Sequence, residues 1–255
     1  MSSPDGIATA PISAATKLRK MLEDPSKTIV CPGVYDGFSA RIALEVGFDA
    51  LYMTGAGTTA SLLGHADLGI ANLTDMSTHA TMIANLSPSV PLIADMDTGY
   101  GGPINVARAT TAYIRAGVAA FHLEDQVQSK RCGHLANKQL VELPEFLSRI
   151  KAADAARKRA GSDVLIIART DALQGFGYDE SLRRLLAARD AGADVGFLEG
   201  VTSVALCRRI IADVAPWPML LNMGFTPRRL FEVCGLEESM GIDREAGGKG
   251  FEKGA

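Results

Sequence analysis

The sequence predicts an α/β fold, a (β/α)8 TIM-type barrel, and three patterns support that prediction. Short apolar runs alternate along the chain with longer segments whose apolar residues recur at helical spacing. Glycines at predicted helix ends, such as Gly47, Gly117 and Gly192, precede several of these runs. Polar residues follow the ends of many successive runs, which fits a barrel mouth better than the single crevice of an open doubly wound sheet.

Seven apolar runs have the near-continuous hydrophobicity of strands buried on both faces. They cover residues 28–32, 50–54, 90–94, 119–123, 164–168, 195–198 and 219–221. Helices are predicted between them, over residues 36–46, 104–116, 142–159, 178–191 and 203–214. Because a closed barrel of this type has about eight strands and no further apolar run follows residue 223, we expect the eighth βα unit to be absent.

Composition indicates one large globular domain. The chain is 47% hydrophobic and 22% charged, and its net charge of -3 arises from interspersed acids and bases. This argues against nucleic-acid binding, and no apolar run has the roughly 18 residues of a membrane helix. We expect a flexible leader over residues 1–12, the barrel over 13–223, and a C-terminal helix and tail over 224–255.

The cysteines are sparse and far apart. Cys31, Cys132, Cys207 and Cys234 form no CxxC pair, which argues against a disulfide framework or a structural zinc site. The first residues also lack the basic start and apolar core of a secretory signal. We therefore expect reduced thiols and a cytoplasmic location, with a mitochondrial one left open.

Carboxylates end two neighbouring predicted strands. Asp95 and Asp97 precede a Gly-rich loop, and Glu124-Asp125 ends the next strand. Oxygen-only donors at adjacent strand ends suit Mg²⁺, with Mn²⁺ as the alternative, and Asp67 is a candidate outer-sphere residue. The competing interpretation is structural: one aspartate caps the following helix and the other pairs with a base.

A single thiol lies in the charged run Lys130-Arg131-Cys132-Gly133-His134. Cationic neighbours stabilise a thiolate, so we expect Cys132 to be reactive. Such a cysteine serves either as a nucleophile or as a proton donor and acceptor, and the sequence leaves that choice open.

Polar residues at further strand ends suggest a site for a small carboxylate. Arg169 offers a bidentate fork to a carboxylate, although an ion pair between Arg169 and Glu199 at the barrel rim explains both residues equally well. Asn222 ends the last predicted strand. The run Tyr52-Met53-Thr54-Gly55-Ala56 lets backbone N–H groups approach an anion.

With these motifs in place, the chain resembles the isocitrate lyase and phosphoenolpyruvate mutase superfamily over residues 13–223. Besides the runs already named, the resemblance rests on Pro32-Gly33-Val34-Tyr35-Asp36, Thr98-Gly99-Tyr100-Gly101-Gly102, Leu123-Glu124-Asp125-Gln126, Ala168-Arg169-Thr170-Asp171 and Leu221-Asn222-Met223. The Lys-Arg-Cys-Gly-His run is similar to the signature of the lyase branch. Residues 118–200 look most like the fungal 2,3-dimethylmalate lyases, with methylisocitrate lyases and oxaloacetate acetylhydrolases close behind.

The resemblance implies a retro-aldol carbon–carbon lyase acting on a 2-hydroxy di- or tricarboxylate. Mg²⁺ would be held directly by Asp95 and through waters by Asp67, Asp97 and Glu124. It further implies that Cys132, on a gating loop with Lys130, Arg131 and His134, protonates the enolate, and that Glu199 or a metal-bound water deprotonates the hydroxyl. The substrate would contact Tyr52, Thr54, Gly55, Ala56, Gly133, Arg169 and Asn222.

After Asn222-Met223 the chain departs from the family pattern. The resemblance implies an eighth strand and helices exchanged within a homotetramer, whereas residues 224–255 are similar only to the extreme C-terminal tail of the fungal enzymes. Two alternatives to an active lyase follow: oxaloacetate acetylhydrolase activity, or an inactive barrel remnant with two unpaired sheet edges.

Overall fold

The computed structural model describes residues 12–24 and 26–223, and its centre is one parallel sheet of seven strands in chain order. The strands are β1 (Gly33–Val34), β2 (Leu51–Met53), β3 (Leu92–Asp95), β4 (Ala120–Glu124), β5 (Leu165–Thr170), β6 (Val195–Leu198) and β7 (Met219–Leu220). Each strand pairs in parallel with the next, and the register at the centre sets Asp95 opposite His122 and Glu124 opposite Arg169. The predicted α/β order of parallel strands joined by helices is therefore confirmed.

Helices connect the strands. They are α1 (Ala14–Leu22), α2 (Gly37–Val46), α3 (Gly55–Thr58), α4 (Leu73–Ala84), α5 (Pro103–Ala116), α6 (Leu143–Arg159), α7 (Ala172–Phe176), α8 (Tyr178–Asp190) and α9 (Val204–Val214), with a π-helical turn at Thr59–Leu63. The five predicted helices correspond to α2, α5, α6, α8 and α9. Local chemistry fixes their ends: Asp36 forms a capping box at the start of α2, and Gly47 and Gly117 end α2 and α5 in the left-handed conformation.

The first predicted strand was misplaced. Pairing begins at Gly33 instead of within residues 28–32, because only the carbonyl of Pro32 takes part, accepting from the N–H of Tyr52 at 3.1 Å. Proline has no N–H to donate to a ladder. Ile29 and Cys31 pack instead against the apolar interior of the sheet.

Three apolar clusters form the core of the described residues, and the two largest line the two faces of the sheet. The larger one lies between the outer face of the sheet and the surrounding helices, and includes Met53, Phe121 and Phe146. The second fills the inner face at the N-terminal end of the strands, where α1 inserts Ala15 and Leu18. Burial of these side chains contributes about 25 cal/mol for each Å² of apolar surface removed from water.

Among the described residues β1 and β7 each pair with a single neighbour, so the sheet has two edges and no eighth strand. This agrees with the predicted seven-stranded barrel. The expected leader, apart from Ile12, and the expected C-terminal helix and tail over 224–255 lie outside the described residues. None of the described helices combines the length and apolarity needed to cross a membrane.

Candidate active site

Polar side chains project inward where successive strands end, and they contact one another in a row across the barrel mouth. The Nε of Arg169 lies 3.4 Å from Oε2 of Glu124, and its Nη2 lies 3.5 Å from Oε2 of Glu199. Asn222 donates from Nδ2 to the same Glu199 oxygen at 3.3 Å. The predicted ion pair between Arg169 and Glu199 is thus present, and it forms part of a larger buried array.

Asp95 is held at the centre of the mouth by backbone donors. The N–H of Gly55 donates to Oδ2 at 3.1 Å, and that of Asp97 donates to Oδ1 at 2.8 Å. A Cβ at Gly55 would lie 2.3 Å from Oδ2, so this close approach requires glycine. Thr54 caps the short α3, in which Ala56 follows Gly55. The predicted Thr54-Gly55-Ala56 run therefore adjoins the carboxylate cluster.

Lys130 brings its charge to two of the predicted metal residues. Its Nζ lies 2.6 Å from Oδ1 of Asp67 and 2.5 Å from Oδ1 of Asp97. Burial alone lowers the pKa of Lys130, but Asp97, Glu124, Asp95 and Asp67 together hold it well above its usual value. Burial raises the pKa of Asp97 to about 6 against the opposing effect of Lys130. A buried network of opposite charges thus occupies this side of the mouth.

Glu124 is the buried carboxylate that most needs a nearby cation. It is fully buried, and neither carboxylate oxygen accepts a hydrogen bond within the described part of the chain. Burial raises its pKa well above the usual value although Arg169 and Lys130 oppose this. An ionised carboxylate in such surroundings requires further positive charge.

The donors fit a hard divalent ion by their chemistry. Asp95, Asp97, Glu124 and Asp67 offer only oxygen, the donor type that Mg²⁺ prefers. As they stand, however, no three histidine, cysteine or carboxylate side chains among residues 12–24 and 26–223 are grouped closely enough to enclose an ion. Lys130 bridges Asp67 and Asp97 instead.

Cys132 does not have the environment expected of a thiolate. Half-burial raises the pKa of its thiol above the usual value, outweighing the N–H of His134 and the charges of Lys130 and Arg169 that oppose it. The neighbouring cations do not offset this burial: Lys130 pairs with two carboxylates, and exposed Arg131 donates to the carbonyl of Ala136 at 3.1 Å. The prediction of a cation-stabilised thiolate was therefore wrong, and the thiol is protonated at neutral pH.

The cysteine loop nevertheless reaches the carboxylate-binding residues. A Cβ placed on Gly133 would lie 2.3 Å from Nη2 of Arg169 and 2.9 Å from Cγ and Cδ of Glu199. Glycine at this position lets the backbone approach both side chains. Gly133 of the cysteine run therefore lies against Arg169 and Glu199.

The remaining predicted residues lie farther from this array. The side chains of Arg131 and His134 are exposed on the loop. Tyr52 points into the barrel, where its hydroxyl lies 2.7 Å from Nε2 of His122 and the two rings stack. His122 itself points inward and lies 3.4 Å from Oδ1 of Asp95, an orientation that the sequence left open.

Several contributors to the site were not singled out from the sequence. Tyr113 donates to the carbonyl of Asp95 at 2.7 Å, and the Gln126 side chain forms two hydrogen bonds with the backbone of Arg131. Lys138 reaches Asp171 and the carbonyl of Gly133. Tyr113 carries no distinctive sequence signal, Gln126 appeared only as the last residue of the run Leu123-Glu124-Asp125-Gln126, and Lys138 is a basic residue close to the cysteine run.

Comparison with known proteins agrees with this geometry. The phosphoenolpyruvate phosphomutase family model matches residues 18–244. The 2,3-dimethylmalate lyase of Eubacterium barkeri is 42% identical over 219 residues, which are 85% of this chain and 74% of the relative. The 2-methylisocitrate lyase of Salmonella typhimurium is 43% identical over 199 residues, or 76% and 66% of the two chains.

Solved structures give the same result. A crystal structure of 2,3-dimethylmalate lyase superposes with a TM-score of 0.81 at 52% identity, covering 96% of this chain and 99% of that one. Oxaloacetate acetylhydrolase bound to 3,3-difluorooxalacetate superposes with a TM-score of 0.80 at 50% identity, covering 94% and 99%.

Fold, site and relatives together define a barrel enzyme, and the class that the curated relatives support is a carbon–carbon lyase. The chain belongs to the PEP mutase/isocitrate lyase superfamily. The described residues form seven strands of the family barrel in chain order, and the polar array of the mouth lies at the ends of these strands.

Proposed function

We propose that this chain is a Mg²⁺-dependent lyase that cleaves a small 2-hydroxy di- or tricarboxylate, of the 2,3-dimethylmalate or 2-methylisocitrate type, by retro-aldol chemistry. One observation carries the proposal: the backbone of Gly133, next to Cys132, packs against Arg169 and Glu199. The residue that follows Cys132 therefore packs against an arginine suited to binding a carboxylate. This combination is what cleavage next to a carboxylate, followed by protonation of the leaving carbon, requires.

The metal would be held by Asp95, with Asp97, Glu124 and Asp67 completing its surroundings. The two buried Glu124 oxygens without hydrogen bonds support this assignment. When bound, the ion supplies positive charge that stabilises the negative charge developing on the substrate oxygens. Lys130, already paired with Asp67 and Asp97, limits the repulsion among these carboxylates.

The substrate carboxylate would be held by residues on three sides of the mouth. The guanidinium of Arg169 supplies a bidentate donor. The backbone of Thr54, Gly55 and Ala56 supplies N–H groups at the start of a short helical turn. Asn222 and the backbone of Gly133 complete the set. Tyr52 lies deeper in the barrel, where its hydroxyl is within hydrogen-bond distance of His122.

Cys132 would act as the proton donor. Its raised pKa keeps the thiol protonated at neutral pH, which suits an acid that delivers a proton to a carbanion and does not suit a resting nucleophile. Glu199 would accept the proton of the substrate hydroxyl, because its carboxylate lies in the mouth against Arg169 and Asn222. Arg131 and His134, at the loop surface, would contribute only when the loop moves.

A second activity, oxaloacetate acetylhydrolase, is favoured by one observation. The solved acetylhydrolase is 50% identical to this chain, close to the 52% of the solved dimethylmalate lyase. Both activities break a carbon–carbon bond of a small dicarboxylate, so the shared site geometry does not distinguish between them.

The test is an assay of the purified chain with 2,3-dimethylmalate, 2-methylisocitrate and oxaloacetate, each with Mg²⁺ and with EDTA. We expect Mg²⁺-dependent release of pyruvate from one of the first two, and a decrease in kcat of about 10²–10⁴-fold in Cys132→Ser. The control is Cys207→Ser, on α9, which should retain full activity.

Two results would refute the proposal. Release of oxalate from oxaloacetate alone would assign the chain to the acetylhydrolases. No cleavage of any substrate by a protein that melts cooperatively would leave a folded but inactive barrel.

A further inference from the structure

Lys138 lies on the far side of the cysteine loop, and its side chain is 4% exposed. Its Nζ donates to the carbonyl oxygen of Gly133 at 2.5 Å and lies 3.0 Å from Oδ1 of Asp171. The first contact is within the loop, directly beside Cys132. The second is to the residue that follows β5. A single ammonium group therefore joins the loop tip to the barrel.

Asp171 connects this ammonium to the arginine of the mouth. It accepts two hydrogen bonds from Arg169, from Nε at 3.0 Å and from Nη2 at 3.1 Å. Burial raises the pKa of Asp171, but Arg169 and Lys138 hold it below its usual value. The carboxylate is therefore ionised and shared between two cations. Removing Lys138 would leave Asp171 paired with Arg169 alone and the Gly133 carbonyl without this donor.

The stems of the loop are fixed independently of Lys138. The N–H of Val127 donates to Gln139 and that of Val141 to Asp125, so the two stems form a short antiparallel bridge. The side chain of Gln126 also forms hydrogen bonds of 2.9 and 3.0 Å with the backbone of Arg131. Loss of the Lys138 contacts should thus release the tip around Gly133 without unfolding the base of the loop.

The residue before Lys138 has a left-handed backbone conformation. Asn137 has φ of 59°, in the left-handed region that non-glycine residues seldom adopt. Asn137 is exposed while Lys138 is nearly buried. A solvated surface lysine would need neither this conformation nor a buried ion pair.

We propose that Lys138 is a positioning residue that holds the Cys132 loop closed over Arg169, by coupling the Gly133 carbonyl to Asp171. It touches neither the thiol nor the carboxylates Asp95 and Glu124 in any contact described above. Its role in turnover rests on the proposed lyase activity, whereas its role in loop closure does not. The two can therefore be tested separately.

The loop is tested by alkylation. Wild type, Lys138→Met, Lys138→Arg and the control Lys158→Met are treated with iodoacetamide, and modification of the peptide carrying Cys132 is followed by mass spectrometry. Lys158 is the matched control because its side chain is 74% exposed and pairs only along α6 with Asp154. Cys207 is the internal reference for general loosening of the fold.

We expect Lys138→Met to raise the rate of Cys132 alkylation about tenfold or more, the effect of losing one charge-assisted hydrogen bond. The rate at Cys207 should not change. Lys138→Arg should restore most of the protection, because it retains the charge. Equal Cys132 rates in wild type and Lys138→Met, or an equal rise at Cys207, would overturn the proposal.

Steady-state kinetics provides the second measurement. Because substrate alone should hold the loop closed less tightly than substrate and Lys138 together, Lys138→Met should lower kcat/KM by about tenfold, with partial rescue by Lys138→Arg. An inactive wild type would refute the proposed function and leave the alkylation result to decide the role of Lys138. Full activity of Lys138→Met in an active wild-type background would refute the positioning role.

Discussion

The two ends of the barrel interior are built from the same strands and have opposite chemistry. On β3, Ile93 faces the N-terminal end of the interior and Asp95 its mouth; on β5, Ile167 and Arg169 are related in the same way. The lower end, which we call the floor, is closed by Leu18 of α1. Successive side chains of a strand point to opposite faces, so residues two apart point to the same face. On each of these strands the floor residue and the mouth residue are therefore only two positions apart.

The floor and the mouth contribute differently to stability and to function. The floor removes apolar side chains from water without burying any charge, so it contributes stability. The mouth buries Asp97 and Glu124, whose pKa values are raised by burial. Such groups cost free energy in the folded state unless a cation compensates them. Mutations at the floor should therefore affect stability, and mutations at the mouth should affect activity.

The largest effect is expected at the mouth, in Asp95→Asn. One carboxylate oxygen and its charge are lost from the centre of the site, so kcat/KM should fall by about 10³-fold. The wild type should also gain thermal stability on addition of Mg²⁺, and the variant should not. Asp49→Asn, at an exposed aspartate, is the control. Unchanged activity in Asp95→Asn would exclude this carboxylate from the site.

The next effect is expected at the floor, in Leu18→Ala. Leu18 is 2% exposed, and removing it leaves a cavity beneath the sheet that should lower the free energy of unfolding by about 2–5 kcal/mol. Ile104→Ala, at a residue that is 87% exposed, should change it by less than about 0.5 kcal/mol. Urea denaturation measures both. If folded Leu18→Ala has a much lower specific activity than wild type, the division between a stabilising floor and an active mouth is wrong.

A smaller effect is expected where the loop meets the mouth, in Gly133→Ala. The added methyl would overlap Arg169 and Glu199, so the loop must withdraw at a cost of about 1–3 kcal/mol. We expect kcat/KM to fall about 10–100-fold, with the melting temperature within about 2 °C of wild type. Gly175→Ala, where a Cβ meets nothing within 4 Å, is the matched control. Equal activity of the two variants would show that the loop does not close on Arg169.

The smallest effect concerns His122, at the boundary of floor and mouth. Burial lowers the pKa of His122 to about 3, well below the usual value of about 6.5, so the stability that neutral His122 allows is fully present above pH 6.5. That stability is lost as pH falls from 6.5 towards 3. In metal-free buffer, unfolding free energy should fall more steeply in wild type than in His122→Gln, by at most about 1.4 kcal/mol per pH unit. Parallel curves for the two proteins would contradict this assignment.

Much of the fold was readable from the sequence because its signals are local. Strand β6 was predicted at its observed bounds, and helices α5 and α6 differ from prediction by one residue at their starts. Strand β1 was misplaced because its start depends on contacts with other elements. Pro32 accepts a hydrogen bond from Tyr52 of β2, and Cys31 packs against the apolar interior of the sheet. Helices α1 and α4 were not among the predicted elements.

The sequence by itself showed that polar residues follow the predicted strands. That pattern indicated both the family and the polar mouth. Asp95, Glu124, Arg169 and Glu199 end or follow apolar runs that are typical of buried strands, and parallel strands bring their ends to one edge. Alternation along the chain is sufficient for that inference.

Only the tertiary structure decided how those residues act on one another. Lys130 pairs with Asp67 and Asp97, and this contact, together with burial, leaves Cys132 protonated where its neighbours in sequence predicted a thiolate. Lys138 finds Asp171 across the loop. Burial and the choice of charge partner depend on distances between elements far apart in the chain, and those distances are fixed only when the barrel packs.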